Sequence, residues 1–282
     1  MKKLLERIKL CKLPPPQRRS LPFECYWEDS ILTQEQERIF SNQWLGLGRS
    51  DRLENPGEYE VFELCGQALV LIRNQDKELK LYANTCRHRG AKLLDGSGQC
   101  QAISCPFHGW TYSIDGNLKF AKTMEENPSF DFAEHSLIEY KLKELQGFLF
   151  VFLGKNPTDL SNQLGNFSEL HQPWSMNELV TTRRATFEVQ CNWKAFLDVF
   201  NEYYHLNNVH PTSIDSLYNK PEEADKTTGD FASQFGFTTG TGALLEADQI
   251  NALPIMENLE APWSLGARYS SIFPNMTFAA SQ

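Results

Sequence analysis

Pro14-Pro15-Pro16 followed by Gln17-Arg18-Arg19-Ser20 reads as an extended lead-in. Thr33-Gln34-Glu35-Gln36 then has the Thr-x-x-Gln form of a capping box ahead of Ile39 and Phe40, which predicts a short amphipathic helix over 33–43. From about 58 to 153 the chain turns strand-rich. Tyr59 to Leu64 alternates, Ala68 to Ile72 is an apolar run, Asp115-Gly116 is a hairpin signal, and Gln146 to Leu153 reads as one buried strand. Gly154 to Pro157 punctuates the pattern, and 156–175 looks like a connector. Phe187, Val189 and Cys191 alternate with polar residues and predict one more strand. Residues 193–206 are apolar nearly all round, which predicts a buried helix, and 212–282 mixes loops with strands such as 267–273. The expected organisation is α+β, with a helical lead-in over 1–43 that packs on the second domain, a β-rich domain over 44–155 and that second domain over 156–282.

Charge narrows the function. The net charge is −9 and the pI about 5.3, without the clustered basic surface that nucleic acid requires. No apolar run approaches the ~20 residues that cross a bilayer. Charges interrupt Met1-Lys2-Lys3-Leu4-Leu5-Glu6-Arg7-Ile8-Lys9 before a secretory apolar core can form, so a soluble cytoplasmic protein is expected. Seven cysteines are an odd number spread thinly, which is no disulfide framework but leaves thiols free to hold metal.

Cys86-Arg87-His88 and Cys105-Pro106-Phe107-His108 place four ligand-type side chains in two short pairs, sixteen residues apart. A structural zinc site is one reading, although zinc favours pairs of like residues. Four unrelated residues is another. The mixed pairing suits a [2Fe–2S] cluster in which two thiolates hold one iron and two imidazoles the other, and neutral imidazoles raise the potential to about −150 to +300 mV. Cys100 lies off this pattern and, like Cys11, Cys25, Cys65 and Cys191, is read as structural.

The second constellation sits on the 193–206 helix. Asp198, Glu202 and His205 fall at i, i+4 and i+7, one stripe on a buried helix, where carboxylates need partners or a metal. His210 comes about 140° further round than His205, so Asn207, Asn208 and Pro211 are expected to turn the chain and bring it back. The arrangement is either a satisfied polar network or two thirds of a two-His, one-carboxylate iron site.

Cys86-Arg-His-Arg-Gly90-Ala-Lys-Leu-Leu94 and Cys105-Pro-Phe-His-Gly-Trp110 resemble the ligand loops of Rieske iron–sulfur domains. Asn192-Trp-Lys, Glu202-x-Tyr-His205 and x4-His210-Pro resemble the catalytic signature of Rieske non-haem iron oxygenase alpha subunits (aromatic ring-hydroxylating dioxygenases). The resemblance implies an antiparallel Rieske domain followed by a helix-on-antiparallel-sheet (START/SRPBCC-like) catalytic domain, incomplete at its C-terminus. It implies cluster ligands Cys86, Cys105, His88 and His108, with Gly90 and Gly109 letting amides approach the sulfides and Trp110 packing alongside. It makes His205 and His210 ligands of a mononuclear non-haem Fe(II), and sets Asp198 near that iron without firm ligation. Glu202 would link His108 of one subunit to His205 of the next, in a homotrimer or an assembly with beta subunits. Partners would be an NAD(P)H-dependent flavin reductase with or without a ferredoxin, O2, and a small organic substrate. An aromatic substrate leads for hydroxylation, dihydroxylation or demethylation; a quaternary-amine (choline- or carnitine-type) monooxygenase is the alternative, since Glu at the bridging position is found in those members. A non-catalytic Rieske electron carrier is the further alternative if the chain is naturally this short. The family's third iron ligand is an Asp on a later helix. Of Asp215, Glu222, Glu223, Asp225, Asp230, Glu246, Asp248, Glu257 and Glu260, none matches its context, so a fragment of a longer subunit is expected.

Overall fold

The computed structural model describes residues 2–14, 16–210, 223–238 and 256–281. They divide into two compact units: Asn42–Leu160 with Met176–Arg184, and Met1–Ser41 with Ser161–Ser175 and Ala185–Gln282.

The β-rich unit holds β1 (Trp44–Arg49), β2 (Glu58–Leu64), β3 (Gln67–Arg73), β4 (Leu79–Ala83), β5 (Ser97–Gln99), β6 (Ala102–Ser104), β7 (Thr111–Ser113), β8 (Leu118–Phe120), β9 (Glu139–Leu145) and β10 (Phe148–Phe152). Seven of them form one antiparallel sheet in the order β1-β10-β9-β4-β3-β2-β5, and β6-β7-β8 form a second. The apolar run at 69–72 lies inside the large sheet, between β4 and β2, and is fully buried, whereas alternating β2 is half-buried near an edge. Asp115-Gly116 closes the β7–β8 hairpin: Gly116 has φ +81°, and a Cβ there would lie 2.7 Å from the Tyr82 ring. Residues 176–184 are tied to this unit by polar contacts. Arg49 Nη1 donates to Met176 O at 2.9 Å, Thr181 Oγ1 to Asp51 Oδ1 at 2.7 Å, and Arg184 Nη2 to Glu60 Oε1 at 2.9 Å.

The second unit holds α1 (Lys2–Lys9), α2 (Asp29–Glu35), most of α3 (Leu160–Leu164), α4 (Phe167–His171), α5 (Trp193–Phe200), α6 (Leu206–Val209) and the antiparallel sheet β11 (Phe231–Phe237), β12 (Gly266–Ile272) and β13 (Met276–Ser281). Register pairs Ser233 with Ser270, Gln234 with Tyr269 and Phe235 with Arg268. One face of this sheet carries a buried polar chain. His171 Nδ1 meets Phe167 O and its Nε2 meets Ser270 Oγ, both at 2.7 Å; Ser270 Oγ donates to Ser233 Oγ, and Arg268 pairs with Asp225. Trp174, Phe235 and Trp263 surround the Arg268 guanidinium at 5.2 to 5.9 Å. The opposite face presents Gln234 and Tyr269 to a cavity beside α5.

Four sequence expectations change. The predicted 33–43 helix starts earlier, at Asp29, and continues through a π-helical turn, Gln36–Phe40; Thr33 lies inside it, donating to Asp29 O rather than capping. The strand expected at 187–191 is absent: Phe187 and Val189 are exposed, no described segment pairs with them, and Cys191 N closes a tight turn on Val189 O. The helix expected over 193–206 breaks after Phe200 into two pieces, α5 and α6. It is not buried either: α5 has no fully buried residue, because one side meets β12 and no described residue covers Phe196 and Val199. The 156–175 stretch, expected to be a connector, carries the helices α3 and α4. Pro211, Asp215, Glu222, Glu246 and Asp248 lie outside the described residues.

Candidate functional site

Two loops of the β-rich unit have the same backbone. Cys86 N donates to Ala91 O and Gly90 N to Cys86 O at 2.8 and 3.0 Å; Cys105 N donates to Trp110 O and Gly109 N to Cys105 O at the same distances. Gly90 and Gly109 both lie in the left-handed region, with φ +77° and +73°. No neighbour crowds either position, so backbone conformation selects glycine there. The two thiols belong to the unit's core and are free of disulfides. Tyr112 Oη accepts from Arg87 N at 3.0 Å and lies 3.4 Å from Cys86 Sγ, and burial with the Cys86 contact pushes that phenol up. The imidazoles lie outside the thiols: His88 and His108 meet at 4.7 Å and 68°, and His88 stacks on Trp110 at 4.8 Å and 11°.

The donor set fits a Rieske-type cluster. His88 Nδ1 is buried without a partner. Burial, the His108 ring and Arg89 all pull the His88 pKa down, which keeps the ring neutral. Among the described residues no three such side chains converge on one point, and a binuclear cluster does not require it, since each iron takes two protein ligands.

The second site lies beyond α5. Asn192 caps this helix by accepting from Lys194 N, and Asn201 ends it. Glu202 then folds back on the next turn: its Oε2 accepts from the amides of Tyr204 and His205, and its Oε1 lies 2.5 Å from His205 Nδ1. Burial raises the Glu202 pKa, but those hydrogen bonds outweigh it and hold the carboxyl low. An ionised carboxylate only accepts, so Nδ1 is the donor in this contact and Nε2 is the ring nitrogen left for a metal. His205 and His210 flank the single turn of α6, and their rings stand 5.5 Å apart. Both line a cavity of about 260 Å³ with Glu202, Phe200, Tyr203 and Tyr269. The edge-to-face rings of Phe200 and Tyr269 lie 5.9 Å apart, and burial pushes the Tyr203 and Tyr269 phenols up to about 12.

Residues 43–132 match the Rieske [2Fe-2S] domain family, and residues 176–282 match the ring hydroxylating alpha subunit (catalytic domain) family. The chain belongs to the Rieske oxygenase family. The family implies a [2Fe–2S] cluster and a mononuclear iron. Among this family's members, the carnitine monooxygenase oxygenase subunit of Acinetobacter baumannii is 32% identical over 81% of this chain. The glycine betaine monooxygenase oxygenase subunit of Pseudomonas aeruginosa (strain UCBPP-PA14) is 28% identical over 83% of it. The chain spans 62% and 54% of those relatives. A crystal structure of a quaternary ammonium Rieske monooxygenase with L-carnitine superposes with a TM-score of 0.76 at 28% identity, over 92% of this chain and 66% of that one.

Within this Rieske oxygenase frame the structure joins some candidate residues and parts others. Cys86, Cys105, His88 and His108 share one end of the β-rich unit, and Glu202, His205 and His210 share one cavity. Asp198 is parted from the cavity: its Oδ2 accepts from Tyr26 Oη at 2.5 Å. The helix break between Asp198 and Glu202 removes the stripe they were expected to share. Of the later acids, Asp225 is held by Arg268, and Glu223, Asp230, Glu257 and Glu260 are exposed. Tyr112, Gln234 and Tyr269 were not singled out from sequence. Alternation along 266–272 put Tyr269 opposite Ser270, but only strand register sets it beside Gln234.

Proposed function

We propose that the chain is the cluster- and iron-bearing part of an oxygenase component that oxidises a quaternary ammonium compound. The observation that carries this is the pairing of His205 and His210 at 5.5 Å in a cavity walled by Phe200, Tyr203 and Tyr269, with Glu202 on His205. Cys86 and Cys105 would hold one iron of the cluster and His88 and His108 the other, while His205 and His210 would hold the mononuclear iron with a carboxylate. When bound, these groups supply one-electron transfer and O2 activation.

The chain's own residues do the rest. Glu202 keeps the proton on His205 Nδ1 and turns Nε2 towards the cavity. Phe196, Val199, Phe200 and Leu206 make the wall apolar, while the faces of Tyr203 and Tyr269 attract a cation. His108 and Phe107, exposed at the cluster end, form the surface from which an electron would reach Glu202 of a neighbouring subunit in a homotrimer. An NAD(P)H-dependent flavin reductase, with or without a ferredoxin, is the donor this reading needs. Of the two substrate classes expected from sequence, the carnitine- and betaine-oxidising relatives and the anionic, aromatic-walled cavity favour the quaternary amine over the aromatic acid.

The test is O2 uptake by anaerobically purified, iron-loaded protein with a reductase and NADH. Trimethylammonium compounds are expected to stimulate uptake with loss of a methyl group or hydroxylation, and benzoate is not. Uptake driven by benzoate alone would overturn the substrate class. Metal analysis showing no more iron than acid-labile sulfide would overturn the mononuclear site.

A further inference from the structure

The Asn192-Trp193-Lys194 motif has a use that the metal sites do not account for. Glu35, the last residue of α2, receives both side chains: Trp193 Nε1 donates to its Oε2 at 2.9 Å and Lys194 Nζ donates to the same oxygen at 2.7 Å. The ion pair is well shielded, with Lys194 and Glu35 side chains 11% and 12% exposed. Lys194 Nζ also sits over the Trp193 and Tyr26 rings at 4.9 and 5.8 Å, and Phe40 packs edge-on against Trp193 at 5.1 Å. Further along, Tyr26 holds Asp198, and Ser271 Oγ donates to Asn201 Oδ1 at 2.8 Å. Polar contacts therefore hold α5 at its start, middle and end, while none of its residues is fully buried. A helix so lightly packed takes its position from those contacts, because apolar burial supplies little restoring force.

We infer that Glu35 is a positioning residue for the iron site: by holding Trp193 and Lys194 it sets where α5 ends, and so where Glu202 and His205 stand. The inference rests on the proposed mononuclear site and concerns a carboxylate far from it in sequence. Tyr26 and Asp198 assist from the second turn. The Trp-Lys pair is thus the receptor for an acid on the lead-in segment.

The test is Fe(II) affinity at the mononuclear site, read by chelator competition, with the visible spectrum of the [2Fe–2S] cluster as a control carried by the other unit. E35A is expected to weaken Fe(II) binding about 10-fold, the low end of what losing a direct outer partner of a metal ligand costs, because Glu35 acts on the ligands only through α5, with the cluster spectrum unchanged. Glu35→Gln keeps an acceptor for Trp193 and loses only the charge, so it should fall between wild type and E35A. If wild type binds the additional iron and both variants bind it equally well, the positioning role is wrong. If wild type binds none, the mononuclear-site reading fails and takes this inference with it. If E35A loses its cluster spectrum as well, Glu35→Gln decides: wild-type affinity refutes the role and weakened affinity supports it.

Discussion

Glu202 concentrates three hydrogen bonds on one carboxylate, two from backbone amides and one from the His205 ring. Gln in its place keeps the shape but loses the charge that holds the ring proton on Nδ1. Glu202→Gln is expected to lower turnover by roughly 10- to 100-fold or more while the cluster spectrum stays as in wild type, measured by O2 uptake and absorbance on one sample. His171 gives a second residue-scale prediction. Burial outweighs its hydrogen bond to Phe167 O and, with Arg268 adding in the same direction, lowers its pKa from the usual 6.5 to about 4. The unfolded chain takes up a proton that the folded chain refuses, so the stabilisation is whole above pH 6.5 and is lost as pH falls towards 4. The loss reaches about 3 kcal/mol. Denaturant titrations at pH 7 and pH 4.5 should show this decline, and His171→Gln should flatten it relative to wild type.

At the scale of elements, turn chemistry could be read in advance and helix limits could not. Asp115-Gly116 announced its hairpin because a left-handed φ excludes most side chains, and the Tyr82 ring closes off the space a Cβ would need. Gly116→Ala is expected to destabilise the β-rich unit by about 1–3 kcal/mol, seen as a lower midpoint in urea with the slope unchanged. By contrast, Thr33-Gln-Glu-Gln36 fits a helix start yet lies inside α2, since a threonine hydroxyl satisfies the carbonyl four residues back just as well. The alternation at 187–191 fits a strand, yet a strand exists only where another backbone completes its ladder. The candidate site shows the same division. The candidate Cys and His pairs were legible because their spacing is local. The break at 201–205 was not, because it depends on a carboxylate choosing the amides of its own next turn.

For the whole molecule, each unit has its own core, and in the β-rich unit the two thiols are part of it. Removing the cluster anaerobically is expected to lower the unfolding temperature of that unit much more than that of the unit bearing α5, as scanning calorimetry with and without cluster would show. Equal shifts in both would count against separate cores. The amino-acid sequence alone pointed to the two Cys/His loops, the β-rich unit that carries them, the candidate His205–His210 pair and the family, because each rests on short-range spacing or residue periodicity. Only the tertiary structure decided that Asp198 turns to Tyr26, that Asp225 serves Arg268, that residues 176–184 pack with the β-rich unit, and that Glu35 receives Trp193 and Lys194. Those partners lie between 43 and 172 residues apart in the hydrogen bonds just named, and a polar side chain chooses among distant acceptors only once packing has brought them within reach.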